Sequence, residues 1–98
     1  MEFKQLEMLV AVADERSVMR AAERVFRTQP AVSMALAKLE QELGSSLFRR
    51  SREHGFQLTA AGELLCDYAK RMLALRDEAS NVLAAKVMAC RQQLQVVS

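Results

Sequence analysis

The sequence has few of the residues that make cross-links, metal sites and kinks: two cysteines, one histidine, one proline and three glycines in 98 residues. Cys66 and Cys90 fall in one helical segment, where their separation corresponds to about 36 Å of helix axis. That is too far for a disulfide within the helix. With a single histidine and no cysteine cluster, no structural metal site is expected, and both cysteines are read as free thiols packed in the helix. No apolar run nears the roughly 20 residues of a membrane span. The start, Met1-Glu2-Phe3-Lys4-Gln5, lacks the basic-then-apolar plan of a secretion signal. The chain is therefore expected to be cytoplasmic, with no membrane partner. Ser33, His54 and Asp67 do not amount to a hydrolase, because the serine sits in a helical pattern and nothing resembles a nucleophile elbow. Neither an enzyme nor a cofactor is expected.

What is present is the balance of one small globular domain, 51% hydrophobic and 27% charged. A domain of this size buries only about two-thirds of its unfolded surface, so a leftover apolar stripe calls for a partner. The net charge of +2 is unevenly spread. Residues 1–15 set Lys4 against Glu2, Glu7, Asp14 and Glu15. Residues 16–52 hold Arg16, Arg20, Arg24, Arg27, Lys38, Arg49, Arg50 and Arg52 against Glu23, Glu40 and Glu42, and the remainder is balanced. A local, arginine-dominated excess suits a polyanion, whose condensed counterions are released on contact.

Apolar spacing organises the chain. Phe3, Leu6, Leu9, Val10 and Ala13 predict a first amphipathic helix. Ser17 caps a short second helix carrying Val18, Ala21, Ala22 and Val25, whose alanines allow a close crossing. Thr28 caps a third helix with Pro30 in its first turn, Val32, Leu36, Leu39 and Leu43 along one face and Gly44 as its stop. Gln29, Ser33 and Ala37 share another side. Phe48-Arg49-Arg50-Ser51-Arg52 runs into Glu53-His54-Gly55 and then Phe56-Gln57-Leu58, which reads as two short strands joined by a turn, a small hairpin with a basic tip. Thr59 caps a helical pattern running without proline or glycine from Glu63 to about Arg91, about 45 Å long. Leu65, Tyr68, Met72, Leu75, Ala79 and Val82 form its heptad-like seam. Leu94 to Val97 is compatible with a short strand. Phe3, Phe26, Phe48 and Phe56 are expected in the core.

The expected fold is mainly α: a winged helix-turn-helix of three helices plus a two-stranded wing, followed by a long dimerisation helix. Thr28 and Gln29 lie where free amides attract phosphate. Gln29 offers a donor and an acceptor to a base edge, with adenine its usual partner, and Ser33 can bond a base or a phosphate. Met34 and Ala37 cannot make a strong base-edge hydrogen bond but can touch a thymine methyl. Arg20, Arg24, Arg27, Lys38, Arg49 and Arg52 are read as backbone anchors.

Ser17, Ala21-Ala22, Gln29-Pro30-Ala31-Val32-Ser33, Leu39-Glu40, Leu43-Gly44, Leu47-Phe48, Arg50 and Leu58-Thr59 with Gly62 resemble, in order and spacing, the N-terminal domain of LysR-type transcriptional regulators. The match runs from about Leu6 to Gly62. The resemblance implies a winged helix-turn-helix DNA-binding domain over residues 1–58, a linker helix over 59–91 that pairs in a dimer, a hinge or the start of a missing effector-binding domain over 92–98, and an interrupted palindromic operator. It also implies DNA contacts at Thr28, Gln29, Pro30, Ser33 and Arg50, with Arg52 on the wing. Met34, Ala35 and Ala37 depart from the arginine, glutamine or lysine frequent there, shifting readout toward Gln29, the wing and DNA shape.

The candidate DNA-binding residues are thus Thr28, Gln29, Pro30, Ser33, Met34, Lys38, Arg50 and Arg52, and the candidate dimer interface is the seam from Leu65 to Val82. The expected partners are double-stranded DNA, a second copy of the chain and the transcription machinery, with a small-molecule effector acting only through a domain absent here. The rival reading is a helical protein-interaction module whose basic residues serve solubility.

Overall fold

The computed structural model describes residues 1–97, with side chains described through residue 92. Four helices and a hairpin follow one another: α1 (Phe3–Glu15), α2 (Val18–Arg24), α3 (Gln29–Leu43), β1 (Phe48–Ser51), β2 (Gly55–Leu58) and α4 (Ala60–Val97). Each of the first three helices begins and ends for a local reason. Gln5 Oε1 accepts the Glu2 amide at 2.8 Å at the start of α1, and Arg16 turns left-handed at its end, donating its N–H to the Val12 carbonyl. Ser17 Oγ accepts the Arg20 amide at 3.2 Å. Thr28 Oγ1 accepts the Ala31 amide at 3.3 Å, and Gly44, at φ 65°, closes α3.

The core lies where α1 meets the other helices. Leu6, Leu9 and Val12 from α1 meet Ala21 and Ala22 from α2, Val32, Leu36 and Leu39 from α3, and Ala69 from α4. The alanines supply the flat surface on which α2 crosses. Gln5, itself buried, reaches from α1 to the Ala35 carbonyl of α3 at 3.4 Å. The strands pair antiparallel, with Phe48 opposite Leu58 and Arg50 opposite Phe56. The Phe48 and Phe56 rings meet edge to face at 5.8 Å.

Three expectations change. First, α4 starts at Ala60 and continues through Val97, about 57 Å at 1.5 Å per residue. Leu94 to Val97, read as a possible strand, is helical backbone because no proline or glycine interrupts the pattern there. Ser98 lies outside the described residues. Second, only Phe48 and Phe56 of the four phenylalanines join the core. Phe26 is 93% exposed, because it occupies the left-handed residue (φ 58°) between α2 and α3. Phe3, at the first position of α1, is half-exposed beneath the Arg76 guanidinium, 5.4 Å from its ring. Third, the seam of α4 is divided. Leu65 and Met72 pack with Ala69 and Leu73 against the core, because α1 lies along that flank. Tyr68, Leu75, Ala79 and Val82 stay exposed, joined by Leu64, Leu83, Val87 and Met88.

Candidate nucleic-acid interface

Burying Val32, Leu36 and Leu39 turns the opposite side of α3 outward, so Gln29, Pro30, Ser33, Met34, Ala37 and Lys38 are all exposed. Thr28 is exposed too, its hydroxyl already engaged as the cap. Alongside runs the wing. A groove of about 220 Å³ lies between them, lined by Ser33, Leu36, Ala37 and Glu40 of α3, Phe48, Arg50 and Phe56 of the hairpin, and Val18. The Arg50 guanidinium lies 5.1 Å from the centre of the Phe56 ring. That stacking fixes a flexible cation at the groove edge without neutralising it. At the wing tip Ser51 Oγ accepts the Glu53 and His54 amides, each at 3.3 Å, and Gly55 takes φ 67°, holding Arg52 in an exposed turn.

The charges divide into two sets. Arg24 binds Asp14 at 3.0 Å and Glu15 at 3.5 Å, so of the six side chains read as backbone anchors it is turned toward α1. Arg76 binds Glu7 and Asp77, and those hydrogen bonds hold its guanidinium further in the charged form. Among the described residues, Arg20, Arg27, Lys38, Arg49, Arg50 and Arg52 have no carboxylate within ion-pair distance. Arg49, alternating with Arg50 along β1, lines the opposite side of the hairpin with Ala13, Arg16 and Glu63, whereas Lys38, Arg50 and Arg52 on α3 and the wing, with Arg20 and Arg27 on and after α2, are exposed, unneutralised cations suited to phosphate.

The sequence reading missed what fixes the wing to α3. Glu40 Oε2 accepts the Leu47 amide at 2.7 Å and the Ser46 hydroxyl at 3.2 Å. Thr59 donates its hydroxyl to the Ser46 carbonyl at 2.6 Å and its amide to the Leu47 carbonyl at 2.9 Å. Its hydroxyl oxygen also accepts the Gly62 amide at 3.1 Å, so the same residue caps α4. Leu39-Glu40 and Leu58-Thr59 stood out as a pattern, but their partners are distant in sequence and local spacing carries no signal for them.

Elsewhere, burial pushes the Cys66 thiol up from its ordinary range, with Lys70 pulling the other way, whereas Cys90 is exposed. Cys66 is therefore buried on the side of α4 that shares a cavity with Ala13 and Asp14 of α1 and Leu58 of the wing, and not along an outward seam. Among the described residues, no group of three or more histidine, cysteine or acidic side chains is placed to hold a metal. Among the described residues, no helix is long and apolar enough to cross a membrane.

A family model described as bacterial regulatory helix-turn-helix protein, lysR family, matches residues 3–63. The chain belongs to the LysR family. Over 75 residues it is 48% identical to the HTH-type transcriptional regulator TfdS of Cupriavidus pinatubonensis, covering 76% of this chain and 25% of that protein. It is 44% identical over 79 residues to BudR of Klebsiella aerogenes, covering 81% and 54%. The chain thus spans about a quarter to a half of the length of these relatives. Among solved structures it resembles the DNA-binding domain of CbnR in a DNA complex, with a TM-score of 0.82 and 36% identity over 89% of this chain and 99% of that one. It also resembles the BenM DNA-binding domain on catB site 1 DNA, with a TM-score of 0.80 and 32% identity over 84% and 91%. The four helices and two-stranded wing are the LysR winged helix-turn-helix with its long C-terminal helix.

Proposed function

We propose that this chain binds double-stranded DNA in a sequence-specific manner, as a homodimer on an interrupted palindromic operator, and so regulates transcription. The observation that carries this reading is the groove where Ser33 of α3 and the Phe56-stacked Arg50 of the wing meet, with Lys38 of α3 and Arg52 of the wing tip also exposed and, among the described residues, without a carboxylate in ion-pair distance. In this reading α3 enters the major groove. The Thr28-capped N-terminus meets a phosphate with Pro30 packed beside it, and Gln29 and Ser33 address base edges. Lys38, Arg20, Arg27, Arg49 and Arg52 neutralise backbone phosphates, and Arg50 anchors the wing. The DNA complexes of the similar CbnR and BenM domains support this assignment.

The seam of α4 pairs two copies, with Tyr68, Leu75, Ala79 and Val82 central and Leu65 and Met72 at its margin, buttressed from behind by α1. Residues 1–58 then bind DNA, 59–91 join the copies, and 92–98 lead toward an effector-binding domain outside this chain. Small-molecule control and contact with the transcription machinery belong to that longer protein, acting in the cytoplasm and not as an enzyme.

Selection of bound sequences from a random duplex library, followed by salt titration of the best binder and its scramble, tests the proposal. The expected result is an enriched palindrome bound far more tightly than its scramble, with affinity falling steeply as salt rises, by a log–log slope of about −0.9 per phosphate contact. Gln29→Ala should cost about 1–3 kcal/mol on that palindrome and little on the scramble. Equal, weak binding to both duplexes would overturn the reading in favour of a helical interaction module.

A further inference from the structure

The outward face of α3 carries an apolar strip that hydrogen bonding to bases does not use. Pro30, Met34 and Ala37 follow one another at steps of four and three, so they line up along the helix, and all three are exposed. Met34, at the centre, is 72% exposed. Gln29 and Ser33 lie on one side of the strip and Lys38 follows Met34 by one turn.

From this we infer that Met34 reads the 5-methyl group of a thymine in the major groove, making this chain's operator depend on a methyl contact at one defined position of each half-site. The inference rests on the DNA-binding reading above and deepens it. The reasoning is one of elimination. Major-groove edges present N7, O6 and O4 acceptors and amino donors, and the thymine methyl is the one apolar group among them. Pressing an unbranched apolar side chain against the polar edges strips them of water without supplying a partner, which costs free energy. Pressing it against a methyl removes apolar surface from water on both sides. The thioether's flexibility and polarizability let it follow the methyl's position as the helix settles in the groove. Pro30 and Ala37 flank the contact and add no polar group that would favour another base.

The test uses the duplex obtained by selection. Each thymine is replaced singly by deoxyuridine, which removes the methyl and leaves base pairing and every hydrogen-bonding group unchanged. The unsubstituted chain should lose about three- to tenfold in affinity at one thymine per half-site and little elsewhere. Met34→Ala, whose fold is checked by circular dichroism, should bind the thymine and deoxyuridine duplexes equally. Placing 5-methylcytosine at that position should recover part of the loss that plain cytosine causes. The inference is overturned if no deoxyuridine weakens the unsubstituted chain, if Met34→Ala keeps the same discrimination, or if selection returns half-sites with no fixed thymine. Failure of the DNA-binding reading shows earlier and separately, as equal binding of the selected duplex and its scramble.

Discussion

Replacing Gly62 by alanine separates local propensity from tertiary packing, because the two predict opposite signs. Gly62 lies in the first turn of α4, and helix propensity alone favours alanine over glycine by about 1 kcal/mol. The surroundings forbid it. A Cβ built at Gly62 would overlap the Leu47 carbonyl oxygen, closer than real contacts allow, and crowd the Leu58 side chain. The obstacle is backbone, so no side chain can swing away. That same carbonyl accepts the Thr59 amide at 2.9 Å, so moving it strains the hydrogen bond joining α4 to the wing. Overpacking costs about 1–3 kcal/mol and loss of the bond about 1 kcal/mol. Set against the propensity gain, the net destabilisation is about 1–3 kcal/mol, out of the 5–15 kcal/mol typical of a domain. Chemical denaturation followed by circular dichroism should show a lower midpoint, and thermal melting a drop of about 4–8 °C per kcal/mol. Gly44→Ala is the control: nothing lies within 4 Å of its Cβ position, so it bears only the conformational cost of φ 65°, about 1–2 kcal/mol. An unchanged or raised stability of Gly62→Ala would refute the argument that α4 is seated directly on the Leu47 peptide.

Leu75, 62% exposed and on the seam, has little to lose within its own chain, so Leu75→Glu should leave the melting of the isolated fold intact while shifting the mass in analytical ultracentrifugation toward monomer; an unchanged mass removes the seam assignment. Arg50→Gln should weaken binding to the selected duplex and reduce the salt slope by about one contact's worth, whereas an unchanged slope would mean that Arg50 serves the wing's packing on Phe56 alone. Maleimide labelling of the native chain at neutral pH should modify Cys90 readily and Cys66 slowly, since burial both shields the Cys66 thiol and raises its pKa. The same upward shift means that Cys66 favours the folded state below its ordinary titration range and loses that contribution as pH rises through the raised value, a change readable as an alkaline fall in stability that Cys66→Ser flattens.

Much of this protein is written in its local sequence. Helix periodicity, the Ser17, Thr28 and Thr59 caps, the Gly44 stop and the hairpin are short-range features whose physics acts over a few residues, and each appears where the spacing put it. The outward face of α3 was legible for the same reason, because burying Val32, Leu36 and Leu39 leaves Gln29, Ser33 and Met34 only one way to point. Tertiary structure decided what depends on residues far apart in the chain. It drew Leu65 and Met72 out of a uniform seam toward α1, since a heptad pattern records which positions are apolar but not which neighbour covers them. It turned Phe26 into solvent, committed Arg24 to Asp14 and Glu15 while leaving Lys38, Arg50 and Arg52 without a carboxylate among the described residues, and clamped the wing to α3 through Glu40, Ser46 and Thr59. Charge and hydrophobicity are properties of a residue, whereas pairing and burial belong to its neighbours, and only the folded chain assigns those.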